Sequence, residues 1–185
     1  MTADVAVAPD LRARIANDKY LGSLPAFLRE PRRAWLVIPI AGIISFLGSL
    51  VLAAIVQKIA PHAQSIEIPK NLPPWLIIFG FAIFSPVVES ILMGLGLKVL
   101  LLLRWMTPGL AILISAVFWG IMHSLQIPVW GLAIWWPFLV FSTLFVVWQQ
   151  RGFWAGVAVA ATTHFLQNIG PSLAMAYPGV FHALP

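Results

Sequence analysis

The sequence predicts an all-α fold, a polytopic bundle of transmembrane helices with about five spans and its N-terminus inside. Three observations lead there. Of 185 residues, 61% are hydrophobic and only 9% are charged. A soluble domain carries about 25% charged residues, so this chain has too little polar surface to face water all round. Apolar runs recur at spanning length, about 20 residues. Finally, the Lys and Arg residues gather in alternate connections, as membrane topology requires. The length allows one domain of several spans and no separate soluble domain of any size.

Residues 1–34 form a basic cytoplasmic segment with six of the eleven Lys and Arg: Arg12, Arg14, Lys19, Arg29, Arg32 and Arg33. Within it, "LRARIANDKYL" suits a short interfacial helix whose Leu11 and Ile15, one turn apart, face the bilayer. A cleaved signal peptide is not expected, because the apolar run begins only at Trp35. Residues 35–170 read as a single transmembrane domain. The first span runs from Trp35 to about Ala60, followed by the polar, Pro-rich connection "PHAQSIEIPKNLPP" at 61–74. The second covers Trp75 to Leu103 and is interrupted by Ser85-Pro86, Glu89 and the pair Gly94/Gly96. After the turn "RWMTPG" come a third span at about 110–126 and a fourth at about 131–148. "QQRG" separates these from a fifth, from Phe153 to about Ile169. Gly170 and Pro171 then open a short tail, 171–185, as helix breakers.

Five spans place the termini on opposite sides. With the N-terminus inside, Lys98, Arg104 and Arg151 join the six N-terminal cations on the inner side, nine of eleven, and Lys58 and Lys70 lie outside. Trp35, Trp75, Trp105, Trp130 and Trp148 fall near span ends, where interfacial aromatic belts sit. The chain has no cysteine, which excludes disulfides and thiolate metal sites. Its net charge of +5 lies beside apolar spans, so it reads as topology and attraction to anionic membrane lipids, not nucleic acid. A bacterial inner membrane is the expected location.

Ionisable groups within spans cost about 2.5–3.5 kcal/mol at a helix centre for Asp, Lys or Arg, so each needs an account. Glu89 follows Pro86 by about one turn; alone it reads equally well as a protonated residue bonded to a neighbouring helix. His123, in "FWGIMHSLQ", reads alone as a packed histidine. In the fifth span Gly152, Gly156, Ala160, His164 and Asn168 recur at spacing four. Small residues at that spacing let backbones approach, so the stripe should face the bundle and carry His164 and Asn168 inward. Interhelical hydrogen bonding would explain that pair by itself. At 1.5 Å rise per residue, Glu89, His123 and His164 lie roughly 22, 20 and 17 Å from the inner surface, close to one level. A chain turn at Gly94–Gly96 would instead leave Glu89 near that surface.

Together these residues resemble the CPBP family, the CAAX prenyl protease and bacteriocin-processing intramembrane metalloproteases. That family carries Glu-Glu-x-x-x-Arg, Phe-x-x-x-His and His-x-x-x-Asn on separate spans. Here "ESILMG", "WGIMH" and "HFLQN" stand in that order, and "WQQRGFWAGVAVAATTHFLQN" is similar to the usual approach to the last motif. The resemblance covers about 75–170. It implies that Glu89 and His123 activate a water and that His164 and Asn168 stabilise an oxyanion. It also implies a divalent metal held by Glu89, His123 and His164, a donor set that suits zinc with one open position. The substrate would be a membrane-embedded or hydrophobic peptide. Ser90 stands in place of the second Glu, Gly94 in place of the Arg, and Trp119 in place of the Phe. Glu and Arg four residues apart on a helix form a pair, and losing both leaves the local charge balance unchanged. The motifs therefore suit either a divergent protease or an inactive relative serving as accessory subunit of a larger membrane complex. A proton or ion carrier is a weaker third reading, since no internal repeat is present.

Overall fold

The computed structural model describes residues 9–62 and 72–181. Most of the polar connection, with Lys70, and the last four residues, with His182, lie outside them. Every regular element among the described residues is helical, as expected. Three short helices, α1 (Pro9–Ala16), α2 (Lys19–Ser23) and α3 (Ala26–Arg29), precede the long α4 (Ala34–Ile59). A continuous rod follows: α5 (Pro74–Ile78), a π-helical turn (Phe79–Phe84) and α6 (Ser85–Leu102). Then come α7 (Pro108–Ser124), α8 (Gly131–Trp148) with a short 3₁₀ extension to Arg151, α9 (Phe153–Ala176) and α10 (Pro178–Phe181).

Three of these stretches, Ala34–Ile59, Pro74–Leu102 and Gly131–Arg151, are long and apolar enough to cross a membrane. The chain is thus an all-helical membrane protein. Its outward faces carry the large apolar side chains that lipid accepts, among them Ile43, Leu47, Leu92, Val99, Leu113 and Val117.

The ends of the helices follow from local chemistry. Thr107 caps α7 by accepting the Leu110 N–H at 3.2 Å, and Pro108 fills the first helical position, where no donor is needed. The α8–α9 junction turns at Gly152, whose φ of 119° only glycine adopts without strain. No turn occurs at Gly94–Gly96; α6 runs straight through. One expectation is corrected: Gly170 and Pro171 do not end α9, which continues to Ala176. Proline removes one backbone bond there, and the Ser172 hydroxyl, donating to the Asn168 carbonyl at 2.7 Å, helps hold the next turn.

Between helices in lipid there is little hydrophobic drive, so close approach and hydrogen bonds hold the bundle. The central helix is α8, whose Phe138, Phe141 and Phe145 are fully buried. It meets α7 backbone to backbone: a Cβ on Gly131 would lie 2.1 Å from the Gly120 carbonyl oxygen. Hydroxyls link the same pair, Ser142 donating to Ser115 at 2.9 Å, and Ser45 of α4 donates to Gln167 of α9 at 2.8 Å.

The N-terminal helices differ from expectation. Ile15 is buried and Leu11 packs beside it, not against lipid but on the end of the bundle itself. The reason is Arg14. Its guanidinium donates to the carbonyls of Leu101 (2.8 Å), Leu103 (3.3 Å) and Met106, satisfying acceptors that the end of α6 leaves open. Asp18 accepts from Leu21 N–H at 2.9 Å and from Gly109 N–H at 2.8 Å, so one carboxylate caps α2 and pins it to α7. Arg12 donates to the Gln150 carbonyl, and Arg151 returns the tie by donating to the carbonyl of Pro31.

A polar cluster around Phe138

The four residues singled out in the sequence stand on three elements packed around α8: Glu89 on α6, His123 on α7, and His164 and Asn168 on α9. Within the small-residue stripe Gly156, Ala160 and His164 are buried, with Gly152 and Asn168 half-buried at its ends. The hub is Phe138. Its ring centroid lies 5.5 Å from that of His123 and 5.4 Å from that of His164, and Trp119 stacks on it at 4.7 Å. Phe141 stacks on His164 at 4.4 Å. His164 is thus buried among aromatic rings, and His123 stands half-buried beside them. Glu89 lies close enough to His123 for their charges to interact.

The origin of the π turn explains Asn168. The Ser85 N–H bonds the Gly80 carbonyl, five residues back instead of four. In that register the next donor, aimed at the Phe81 carbonyl, would be the nitrogen of Pro86, which has no hydrogen. The Phe81 carbonyl is thereby left without a donor from its own helix. Asn168 supplies one from α9, its side-chain amide donating to Phe81 O at 3.0 Å. The contact fixes which way the carboxamide points, since only the nitrogen can meet a carbonyl.

The same nitrogen lies 3.3 Å from His164 Nε2 and so donates to it. The Nε2 lone pair is then in use and the ring proton sits on Nδ1. That atom is buried with no hydrogen-bond partner. His123 is set the opposite way: its Nδ1 lies 2.8 Å from the Trp119 carbonyl, which accepts its proton, so that in the neutral ring the lone pair is on Nε2. Glu89 has one oxygen, Oε1, accepting from the Ser85 hydroxyl one turn below, while Oε2 is buried and unpartnered. Buried polar atoms are nearly always satisfied, and orphans mark places where another group belongs. Here a donor, His164 Nδ1 on α9, and an acceptor, Glu89 Oε2 on α6, are both without a partner on helices that pack together.

Sequence reasoning had no role for Ser85 or Phe138. The first was detectable as a hydroxyl four residues before Glu89 on the same helical face; nothing marked the second among twelve Phe. Zinc would need three nitrogen or oxygen donors at about 2.0–2.2 Å from one point. Among the described residues no three His or carboxylate side chains form such a group.

The missing Glu–Arg pair also has a physical account. Ser90 is buried, and a Cβ on Gly94 would already lie 2.5 Å from the Phe145 ring. On the other side a Cβ on Gly156 would lie 2.9 Å from the same ring. Phe145 is thus clamped between two glycines and occupies the space where an arginine would begin.

A test of this arrangement does not depend on any activity. In protein labelled with ¹⁵N-histidine, His164 is expected as the Nδ1–H tautomer, with Nε2 accepting. Asn168→Ala should mix the tautomers and lower thermal stability by about 1–3 kcal/mol, the cost of the unsatisfied Phe81 carbonyl. An unchanged tautomer would show that Asn168 does not set it.

No protein-family description, no curated protein and no solved structure matches this chain.

Proposed function

We propose that the protein is an intramembrane endopeptidase of the CPBP type, divergent in its first motif, which cleaves a membrane-embedded or hydrophobic peptide. The observation that carries this reading is the pair of orphaned atoms, Glu89 Oε2 and His164 Nδ1, on motif residues of two helices that pack together. Amide hydrolysis needs a base for water and a donor for the developing oxyanion. Glu89, with His123 close enough for their charges to interact, takes a proton as the water oxygen attacks the carbonyl carbon. The Nδ1–H of His164 donates to the carbonyl oxygen as it becomes an oxyanion. The proton then passes to the leaving amine as the C–N bond breaks. Asn168 does not itself donate to substrate in this scheme, because its amide is engaged by Phe81 and His164; it positions the imidazole. Glu89, His123 and His164 are the residues that would hold a divalent metal, and metal content measured on the purified protein tests whether an ion joins these steps.

A second reading has its own support. The Phe145 clamp replaces a charged pair with packed aromatic, which suits a family member that keeps its fold as an accessory subunit of a larger membrane complex. Cleavage separates the two: purified protein in detergent should cut an apolar helical peptide under the first reading and leave it intact under the second.

The membrane arrangement proposed with it is five spans, α4, α5–α6, α7, α8 and α9, with the basic end inside a bacterial inner membrane. The absence of native cysteine makes single-cysteine labelling direct. Arg104→Cys should react with a membrane-impermeant maleimide only in inverted vesicles, and Lys58→Cys only in intact cells. The reverse pattern would overturn the orientation.

A further inference from the structure

At the basic end of the bundle a cleft of about 550 Å³ opens between the N-terminal helices and the α6–α7 turn. Its walls carry Arg14, Lys19 and Arg104, against one carboxylate, Asp18. Both Asp18 oxygens already accept backbone N–H groups, from Leu21 and Gly109, so the carboxylate is turned into the protein. Arg14 is held by carbonyls at the end of α6. Lys19 and Arg104 are exposed at the rim. The cleft is a rigid feature, because the N-terminal segment seats tightly on α7: a Cβ on Gly109 would lie 2.9 Å from Tyr20 Cβ.

One wall of the cleft does not end in water. Trp105 is 70% exposed beside it, in the place an interfacial aromatic takes. From Leu110, which lines the cleft, a stripe of exposed apolar side chains runs up α7 through Leu113, Val117 and Ile121 at helical spacing. A cationic cleft continuous with a lipid-facing apolar track matches an amphiphile with an anionic head and acyl chains. A free inorganic anion would make no use of the track.

We propose that this cleft binds the headgroup phosphate of one anionic phospholipid, with an acyl chain along the Leu110–Ile121 stripe. The site is independent of the cluster around Phe138, and its failure would leave the proposed peptidase untouched. The test uses the full chain in detergent, with dioleoyl phosphatidylglycerol and dioleoyl phosphatidylcholine as probes and native mass spectrometry counting retained lipids. One phosphatidylglycerol should be held in preference. Lys19→Gln/Arg104→Gln should weaken it about 25-fold, roughly five-fold for each cation lost near a membrane surface. Arg29→Gln/Arg33→Gln removes the same charge at the same end but outside the cleft and should change retention little. Equal loss in both variants would mean diffuse surface charge and overturn the site. Equal retention of the two lipids, or displacement of phosphatidylglycerol by excess inorganic phosphate, would overturn it too.

Discussion

Glu89→Gln is expected to reduce cleavage of an apolar peptide by about 10²–10⁴-fold, the usual contribution of a positioned general base. Gln keeps the shape and the contact with the Ser85 hydroxyl but cannot take a proton. His164→Ala should cost about 10²–10³-fold, the measured range for one oxyanion donor. The double variant should fall no further than slightly below the worse single one, because both act on the same transition state. Initial rates on the purified proteins check this, with melting temperature as the control for folding. Loss of His164 also strips a stacking partner from Phe141, so His164→Phe belongs in the series: it keeps the stacking and removes the donor. If all four variants cut at the parent rate, the cluster is structural and the cleaving groups lie elsewhere; if the parent leaves the peptide intact, the accessory reading takes its place.

The largest effect on stability is expected at Gly94. Gly94→Arg would drive a side chain into the Phe145 ring, which stands 2.5 Å from the first added carbon. Overpacking costs about 1–3 kcal/mol, and a buried charge without a partner adds about 3–5 kcal/mol. The sum approaches the whole stability of an ordinary domain, so the variant should not accumulate as a monodisperse protein. Restoring the pair as Ser90→Glu/Gly94→Arg removes the charge penalty but not the clash. Adding Phe145→Ala removes the clash as well and should recover much of the expression. Size-exclusion chromatography of the four proteins ranks them. Recovery by Ser90→Glu/Gly94→Arg alone would show that Phe145 is not what keeps the arginine out.

How much of this was legible before the fold was known depends on the kind of signal. Hydropathy located the long apolar helices to within a few residues, except that α9 runs on past Gly170 and Pro171 to Ala176, since it is summed over a whole span and tolerates local exceptions. The spacing-four stripe indicated the inward face of α9, because small residues have few other uses at that period. The π turn was not legible. It depends on Pro86 withholding one hydrogen from one carbonyl, and Ser85-Pro86 appeared in the sequence only as an interruption. Phe138 was invisible for a different reason: its place as hub comes from the crossing of α7 and α8 at Gly120 and Gly131, a tertiary contact that no local pattern encodes. The docking of α1 was misjudged because Leu11 and Ile15 look alike whether they face lipid or protein; the carbonyls that recruit Arg14 are 87 and more residues away.

That separation has a consequence for how the molecule is made. The bond from Arg12 joins residues 138 positions apart. At about 5–20 residues per second, the basic segment leaves the ribosome roughly 7–28 s before its last docking partner exists. Until then Arg12 has no Gln150 carbonyl to bind, while Arg14 can already meet the carbonyls of Leu101, Leu103 and Met106. The basic segment therefore docks in stages, first on the α6 and α7 ends and then on the end of α8, and the Arg12 bond reports that α8 has arrived in place.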